Sequence, residues 1–201
     1  MRMMVCGLLM LCLAACGSTQ PTIVTPAQPD PSADRTLMPT SSPASEVSAS
    51  DAPAQAAWLS LPLVNARTRE TFTFADFAGK VVYVEPMATW CTNCRAQMNN
   101  LVQARQQVDN TNIVYVGLSV ETNLTTDEMA SYADSYGYDW AFAVMTPEIL
   151  SALTATFGRS VSVPPSTPHF IIYPDGTFSA LDTGGIETTD ELVQLLREAT
   201  A

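Results

Sequence analysis

From about residue 58 onward, hydrophobic and polar positions follow patterns typical of strands and helices. Two apolar runs rich in β-branched residues, VVYVEP at 81–86 and NIVYVGLSV at 112–120, are typical of buried central strands. A third run, WAFAVM at 140–145, predicts another strand. Strands of this kind are usually covered on both faces of their sheet, so we expect helices to pack on both sides.

Four segments have apolar residues at helical spacing and predict helices. They span residues 91–108, 125–137, 146–158 and 188–200. Thr or Asp residues are suited to cap the start of the second helix, and Gly137 and Gly158 are suited to end the second and third. Pro147 fits the first turn of the third helix, and the last segment is amphipathic.

Two further segments predict hairpins. Apolar and polar residues alternate on both sides of NART in residues 59–74, and HFIIYPDGTFSAL at 169–181 would turn at PDG. The predicted order is a hairpin, three strands that alternate with helices, a second hairpin and a final helix. Such an order predicts the α/β class, with a mixed central sheet flanked by helices and an N-terminal β-hairpin.

The N-terminus has the pattern of an export signal. Arg2 precedes an apolar stretch too short to span a bilayer, and this stretch ends in LAAC at 13–16. The ending resembles the lipobox of bacterial lipoproteins, which implies that residues 1–15 are a signal peptide and that Cys16 is lipidated. An ordinary secretory signal with an incidental cysteine is the alternative. We expect an extracytoplasmic protein anchored by lipid to a bacterial membrane.

Residues 16–57 are dominated by Pro, Ser, Thr, Ala and Asp and have no apolar period. Such a composition cannot bury enough apolar surface to offset the entropy of ordering. We therefore expect a disordered tether that begins at the lipidated cysteine, followed by a folded domain at 58–201. The net charge of −11, without clustered cations, argues against binding to nucleic acid.

Cys91 and Cys94 are the two cysteines of the predicted domain, and their C-x-x-C spacing has three interpretations. A zinc site would need two more ligands, and the domain offers only His169. A purely structural disulfide would stabilise little, because the loop that it closes is so short. The third interpretation is a reversible dithiol.

The predicted helix start favours the reversible dithiol. A helix N-terminus has free N–H groups and a partial positive charge, and both stabilise a thiolate at Cys91. Cys94 would lie one turn inside the helix, shielded from solvent. We therefore expect Cys91 to be the nucleophile and Cys94 to resolve the mixed disulfide.

Glu85 stands in a strand otherwise made of Val and Tyr. If it is buried behind the cysteines, its pKa is raised and it can take the proton from Cys94, directly or through water. Alternatively, Glu85 faces solvent at the strand end, or pairs with Lys80 or an arginine.

The stretch GKVVYVEPMATWCTNCRAQM, with FTFADFAGK upstream and STPHFIIYPDG downstream, resembles the thioredoxin superfamily. Within that superfamily, it resembles the membrane-anchored TlpA/ResA-like thiol–disulfide oxidoreductases. The resemblance implies a thioredoxin-like fold and a substrate-binding surface at Trp90, Thr167 and Pro168. Pro168 would be the cis-proline opposite the cysteines, and the backbone of Thr167 would pair with a substrate strand. Glu85 falls on the position of the buried acid.

Several residues depart from the family pattern. Thr92 and Asn93 stand between the cysteines, where Gly-Pro or Pro-Pro is usual, so the direction of electron flow is open. Gln97 and Asn99 replace the usual Glu and Pro of the active-site helix. Pro86 and Met87 replace the usual Phe-Trp.

The resemblance implies that the protein reduces specific protein disulfides, for example in cytochrome c maturation. We expect protein thiol or disulfide substrates, a membrane electron donor of the thiol-transfer type, a monomer, and no cofactor or metal beyond the redox-active Cys91–Cys94 disulfide. The alternative is a metallochaperone that binds Cu(I) through the two cysteines, with His169 or Met87 as a third ligand. A peroxidase-like activity is less well supported, because a helix turns the adjacent Arg95 away from Cys91.

Overall fold

The computed structural model describes residues 56–201, and its elements follow the predicted order. The strands are β1 (Leu63–Val64), β2 (Thr71–Phe72), β3 (Val81–Met87), β4 (Ile113–Ser119), β5 (Ala141–Val144) and β6 (Phe170–Ile172). The helices are α1 (Thr92–Arg105), α2 (Thr126–Ser135), α3 (Pro147–Phe157) and α4 (Thr189–Ala199). Short 3-10 helices at Ala57–Ser60, Phe74–Phe77, Arg159–Ser162 and Pro164–Ser166 were not predicted.

The central sheet has the strand order β5-β4-β3-β6. β3 and β4 are parallel, as are β4 and β5, whereas β6 runs antiparallel to β3. Val84 of β3 is paired with Val116 on one side and with Phe170 on the other. The predicted mixed sheet is thus confirmed, and its central strand leads directly into the loop that carries the cysteines.

Alternate residues of β3 belong to two separate hydrophobic clusters. Val81 and Tyr83 pack in a cluster with apolar residues of α1, α2 and α4. Val82 and Val84 pack in a second cluster that includes residues of α3. Since successive side chains of a strand point to opposite faces, the two clusters lie on the two sides of the sheet, as the apolar runs predicted.

The two predicted hairpins are confirmed only in part. β1 and β2 form a separate antiparallel sheet with two residues in each strand. In the C-terminal hairpin, β6 is regular, but the returning segment pairs only through isolated bridges such as His169 with Asp182. The ladder is interrupted because the Ile171 N–H donates to the Ser179 side-chain hydroxyl.

The helix starts are fixed by local capping. The Thr125 and Thr188 side chains accept hydrogen bonds from the N–H groups of Glu128 and Glu191, whose carboxylates bond back to the capping residues. Such a capping box satisfies two otherwise free donors. Thr146 caps α3 in a similar way, ahead of Pro147.

Within residues 56–201, no helix has both the length and the apolar character needed to span a membrane. Trp58, near the start of this range, is buried in the cluster on the α3 side. The predicted signal peptide at 1–15, the lipidation site Cys16 and nearly all of the tether at 16–57 lie outside the described residues.

Candidate active site

Cys91 and Cys94 form a disulfide at the start of α1, with their Cα atoms 5.3 Å apart. Cys91 is the N-cap residue, and its Sγ accepts a hydrogen bond from the Cys94 N–H at 3.1 Å. This N–H is one of the donors that a helix start leaves free. The same donor would stabilise a thiolate at Cys91 after reduction.

The two cysteines are almost completely enclosed, while an aromatic side chain beside them is open to solvent. Cys91 is 2% exposed and Cys94 is fully buried, whereas Trp90 is 60% exposed. The indole of Trp90 is therefore accessible to a partner protein, whereas Cys91 presents little surface. The large exposed ring suits the predicted role of Trp90 in substrate binding.

The loop before Cys91 is held by Glu121, a residue to which no sequence pattern points. The Glu121 carboxylate accepts a hydrogen bond from the Thr89 N–H at 2.6 Å and another from the Thr89 hydroxyl at 3.0 Å. Glu121 follows β4, the strand beside β3. Hydrogen bonds to a charged acceptor are stronger than neutral ones, so Glu121 helps to fix the loop.

A second loop closes over the disulfide. The Pro164 carbonyl oxygen lies 3.3 Å from Cys94 Sγ, and the Asn93 side-chain amide donates to the Pro165 carbonyl at 2.8 Å. In a reduced protein of the same geometry, the Pro164 oxygen would be placed to accept a hydrogen bond from the Cys94 thiol. Asn93, one of the departures from the family pattern, thus joins the C-x-x-C segment to this loop.

Thr167 is fully buried and adopts a left-handed backbone conformation, with φ 47°. Its N–H donates to Pro164 O at 2.8 Å, and its hydroxyl donates to Gly185 O. Pairing of its backbone with a substrate strand stays a prediction, and it would require the Pro164 bond to be exchanged. Pro168 lies between Thr167 and His169, two residues before β6 begins, and its cis form stays a prediction as well.

Glu85 is 2% exposed, and neither carboxylate oxygen has a hydrogen-bond partner among the described residues. It is paired with Gly117 of β4, and Gly117 with Phe142 of β5. The Phe142 ring packs so closely over Gly117 that a Cβ there would overlap it. The missing side chain at Gly117 thus leaves room for the Phe142 ring over the residue that is paired with Glu85.

Burial is the main cause that raises the pKa of Glu85 well above its usual range, and the negative charge of Glu187 raises it further. The Tyr83 hydroxyl partly opposes the shift, although it makes no hydrogen bond of normal geometry to either carboxylate oxygen. An acid of this kind holds its proton at a pH where an ordinary glutamate has lost it. Glu85 is therefore suited to exchange a proton with a thiol.

A buried polar network lies on the same side of the sheet. Gln97 of α1 is fully buried and donates to a Glu187 carboxylate oxygen at 3.2 Å. The same oxygen lies 3.2 Å from His169 Nε2. On sequence alone, Gln97 is only a departure from the family pattern and His169 is at most a copper ligand. Gln97 could have been recognised from the sequence as a polar residue within the apolar stripe of a helix. No local sequence pattern points to Glu187.

Metal-ligating groups come together in a different place from the cysteines. Across residues 56–201, ligand atoms of His169, Asp182 and Glu187 lie within 4.8 Å of one another. Neither cysteine belongs to this group, and both sulfurs are engaged in the disulfide.

Arg95 donates to the Thr89 carbonyl and the Thr92 hydroxyl, and its guanidinium lies over the Tyr136 ring.

Several solved structures with the same fold are those of redox proteins. A thioredoxin-family thiol:disulfide interchange protein from Chlorobium tepidum is 23% identical, with a TM-score of 0.61 over 76% of this chain and 100% of its own. A secreted Mycobacterium tuberculosis disulfide oxidoreductase homologous to E. coli DsbE is 18% identical, with a TM-score of 0.55 over 70% and 96%. M. tuberculosis DsbF is 17% identical, with a TM-score of 0.55 over 71% and 96%. These likenesses define the class as thioredoxin-like in fold.

The sequence also matches a family model. Residues 53–178 match the model of the AhpC/TSA family, and the chain belongs to that family. A search of curated protein sequences found no significant match. Together, the family, the fold and the Cys91–Cys94 disulfide support a thioredoxin-like thiol–disulfide oxidoreductase.

Proposed function

We propose that this protein is a TlpA/ResA-like thiol–disulfide oxidoreductase that is anchored outside the cytoplasm by lipid and reduces specific protein disulfides. The observation that carries the proposal is the Cys91–Cys94 disulfide at the start of α1, on the strand-loop-helix unit that also holds the buried Glu85. A nucleophile at a helix N-terminus and a resolving thiol one turn inside are the two groups that disulfide exchange requires.

The reaction starts from the reduced dithiol. The Cys91 thiolate attacks one sulfur of the partner disulfide, forms a mixed disulfide and expels the first partner sulfur as a thiolate. Glu85, in its ionised form, takes the proton from Cys94, directly or through water. Cys94 then attacks Cys91 Sγ, and the second partner sulfur leaves as a thiolate. The partner disulfide gains two electrons, and Cys91 and Cys94 lose them as their bond forms. The two partner thiolates take protons from solvent or from Glu85.

Turnover requires a source of electrons. The compartment outside the cytoplasm is oxidising, so a membrane protein of the thiol-transfer type would have to reduce the Cys91–Cys94 bond again. Lipid on Cys16 and the tether at 16–57 would keep the domain near such a donor and let it reach its substrates. Apocytochrome c is one substrate class that the family resemblance suggests.

The test is the equilibrium reduction potential of the Cys91–Cys94 couple in the full-length protein in detergent. The couple is titrated against glutathione or dithiothreitol and read by tryptophan fluorescence. A potential near that of thioredoxin, about −270 mV, agrees with a reductase that is recharged from the membrane. A potential near about −120 mV, as in a strong oxidant, would mean that the protein inserts disulfides instead.

The alternative function, Cu(I) binding, is tested on the same protein. Two sulfur ligands suit Cu(I), so a protein without a reversible couple but with stoichiometric Cu(I) binding would be a metallochaperone. Cys91→Ser and Cys94→Ser should each abolish the couple. Loss of Cu(I) binding in the same variants, without any redox couple in the wild type, would replace the oxidoreductase proposal.

A further inference from the structure

Glu187 lies outside the helices and strands, just before α4. Two side chains of α1, the active-site helix, form hydrogen bonds with it. The Gln97 side chain accepts a hydrogen bond from the Glu187 N–H at 2.7 Å and donates one to the Glu187 carboxylate at 3.2 Å. The Asn100 amide donates to the Glu187 carbonyl at 2.6 Å. Thus both residues of α1 fix the backbone of Glu187, and Gln97 also fixes its carboxylate.

His169 ties the same carboxylate to the loop over the cysteines. Its Nε2 lies 3.2 Å from the Glu187 carboxylate, and its Nδ1 lies 3.3 Å from the Thr167 carbonyl. Both ring nitrogens therefore face acceptors.

Gln97 and His169 also contact Tyr83, a neighbour of Glu85 on β3. Gln97 Nε2 lies 3.4 Å from the Tyr83 hydroxyl, and the His169 ring stacks on the Tyr83 ring with 5.4 Å between centroids. Tyr83 and Glu85 are two residues apart on β3, so their side chains lie on the same face of the sheet. Glu187 and its partners thus lie on the same side of the sheet as the buried acid.

Several charged or titratable groups act on this region. Asp182 and Glu191 add negative charge around Glu187, and His169 opposes it. Burial raises the pKa of Glu187, and the charge of Glu187 in turn raises that of Glu85. The phenol of Tyr83, also buried, has a pKa raised well above its usual value.

We propose that Glu187 is a positioning residue of the redox site: held by Gln97 and His169, its carboxylate sets the protonation state of Glu85 and so the pH range in which Cys94 can be deprotonated. This inference rests on the proposed function, because it assigns to Glu187 a part in the resolving step. Glu187 exerts its effect through Glu85 and needs no contact with the substrate.

The first test measures the proton on Glu85 directly, in the oxidised full-length protein in detergent. A protonated buried carboxyl group has its own infrared carbonyl band, which Glu85→Gln identifies by removing it. We expect Glu187→Gln to shift the disappearance of this band to lower pH, because a negative charge near Glu85 is lost. Glu198→Gln removes an exposed carboxylate of α4 and should leave the titration unchanged.

The second test exchanges the two groups. In Gln97→Glu/Glu187→Gln, the carboxylate and the amide change places across the hydrogen bond that joins them. This conserves the net charge and this hydrogen bond, while the Gln97 donation to Tyr83 and the His169 contact with a carboxylate are given up. We expect the Glu85 band to titrate again near the wild-type pH. The pH profile of the resolving step, measured by rapid mixing, should move with the band in both variants.

These outcomes separate a positioning role from a merely structural one. If Glu187→Gln folds and the Glu85 band titrates as in the wild type, the proposal is wrong. If Glu187→Gln fails to fold, the exchanged variant decides alone: a band that stays at the wild-type pH supports the proposal, and one shifted to lower pH contradicts it. Should the wild type have no reversible couple while the band still shifts in Glu187→Gln, the proposed function fails and the electrostatic link to Glu85 stands.

Discussion

At the scale of single residues, Glu85 is the most unusual feature of the site. An ionised carboxylate that is buried without a hydrogen-bond partner is costly, so such a group usually stays protonated. Glu85 has no partner for either oxygen and lies beside a cysteine-bearing loop. A residue that weakens the fold in this way is expected to contribute to function, and perturbed acids concentrate at active sites.

Glu85→Gln tests the proton-transfer role. The amide has nearly the same shape but cannot accept the Cys94 proton, so we expect the resolving step to slow by about a hundredfold or more. Alkylation of Cys91 in the reduced protein should change little, because its thiolate is stabilised by the helix start. The rates are measured by stopped-flow mixing with a model disulfide and by iodoacetamide labelling. Glu70→Gln, at an exposed site, is the control, and an unchanged resolving rate in Glu85→Gln would exclude the role.

At the scale of elements, the environment of Glu85 depends on three neighbouring strands. β3 carries the acid, β4 places Gly117 beside it, and β5 supplies the Phe142 ring that packs over the glycine. The packing of the Phe142 ring over the residue paired with Glu85 therefore results from the register of the parallel strands.

Gly117→Ala tests this packing. A methyl group at Gly117 would overlap with the Phe142 ring, and overpacking of a core typically costs about 1–3 kcal/mol of unfolding free energy. Urea unfolding of the oxidised protein measures the loss. Gly184→Ala, where the new methyl would meet only the Asp182 side chain of an exposed segment, should cost less. If the two variants lose equal stability, the close contact with Phe142 is not the cause.

At the scale of the whole molecule, the buried acids connect stability to pH. The pKa of Glu85 is raised in the folded protein, so the folded protein binds the Glu85 proton more tightly than the unfolded chain does. The stabilisation from this proton is fully present below the unfolded pKa, about 4.3, and is lost as the pH rises through the folded pKa.

We expect the difference in the free energy of unfolding between Glu85→Gln and the wild type to grow with pH. Glu85→Gln should gain stability relative to the wild type as the pH rises from about 4.3 toward and through the raised pKa. Urea unfolding at a series of pH values measures the difference. Glu70→Gln serves as the control, with a difference from the wild type that does not depend on pH. A constant difference for Glu85→Gln as well would mean that Glu85 is not protonated in the folded state.

The predicted anchor is also a property of the whole molecule. If Cys16 carries lipid, Cys16→Ser should leave the membrane fraction and become soluble after fractionation of expressing cells, because the acyl chains hold the protein there. Cys12→Ser alters a residue of the predicted signal peptide and should stay in the membrane fraction. Membrane retention of Cys16→Ser would argue against the lipoprotein signal.

The sequence by itself determined the elements and the position of the cysteines. Apolar periods, caps and turn residues act over a few positions, so they predicted the central strands, the four helices and a helix start at Cys91. The C-x-x-C spacing is equally local. Local patterns also placed Glu85 in a buried strand, although they left open whether its side chain faced the core or solvent.

Only the tertiary structure decided what surrounds these residues. Gln97 and Glu187 meet across 90 positions of the chain, and His169 joins them from the segment before β6. The returning strand of the C-terminal hairpin is irregular because the Ser179 hydroxyl replaces a ladder acceptor. These contacts follow from how packed strands and helices bring distant segments together, and no local period of hydrophobic and polar residues encodes that.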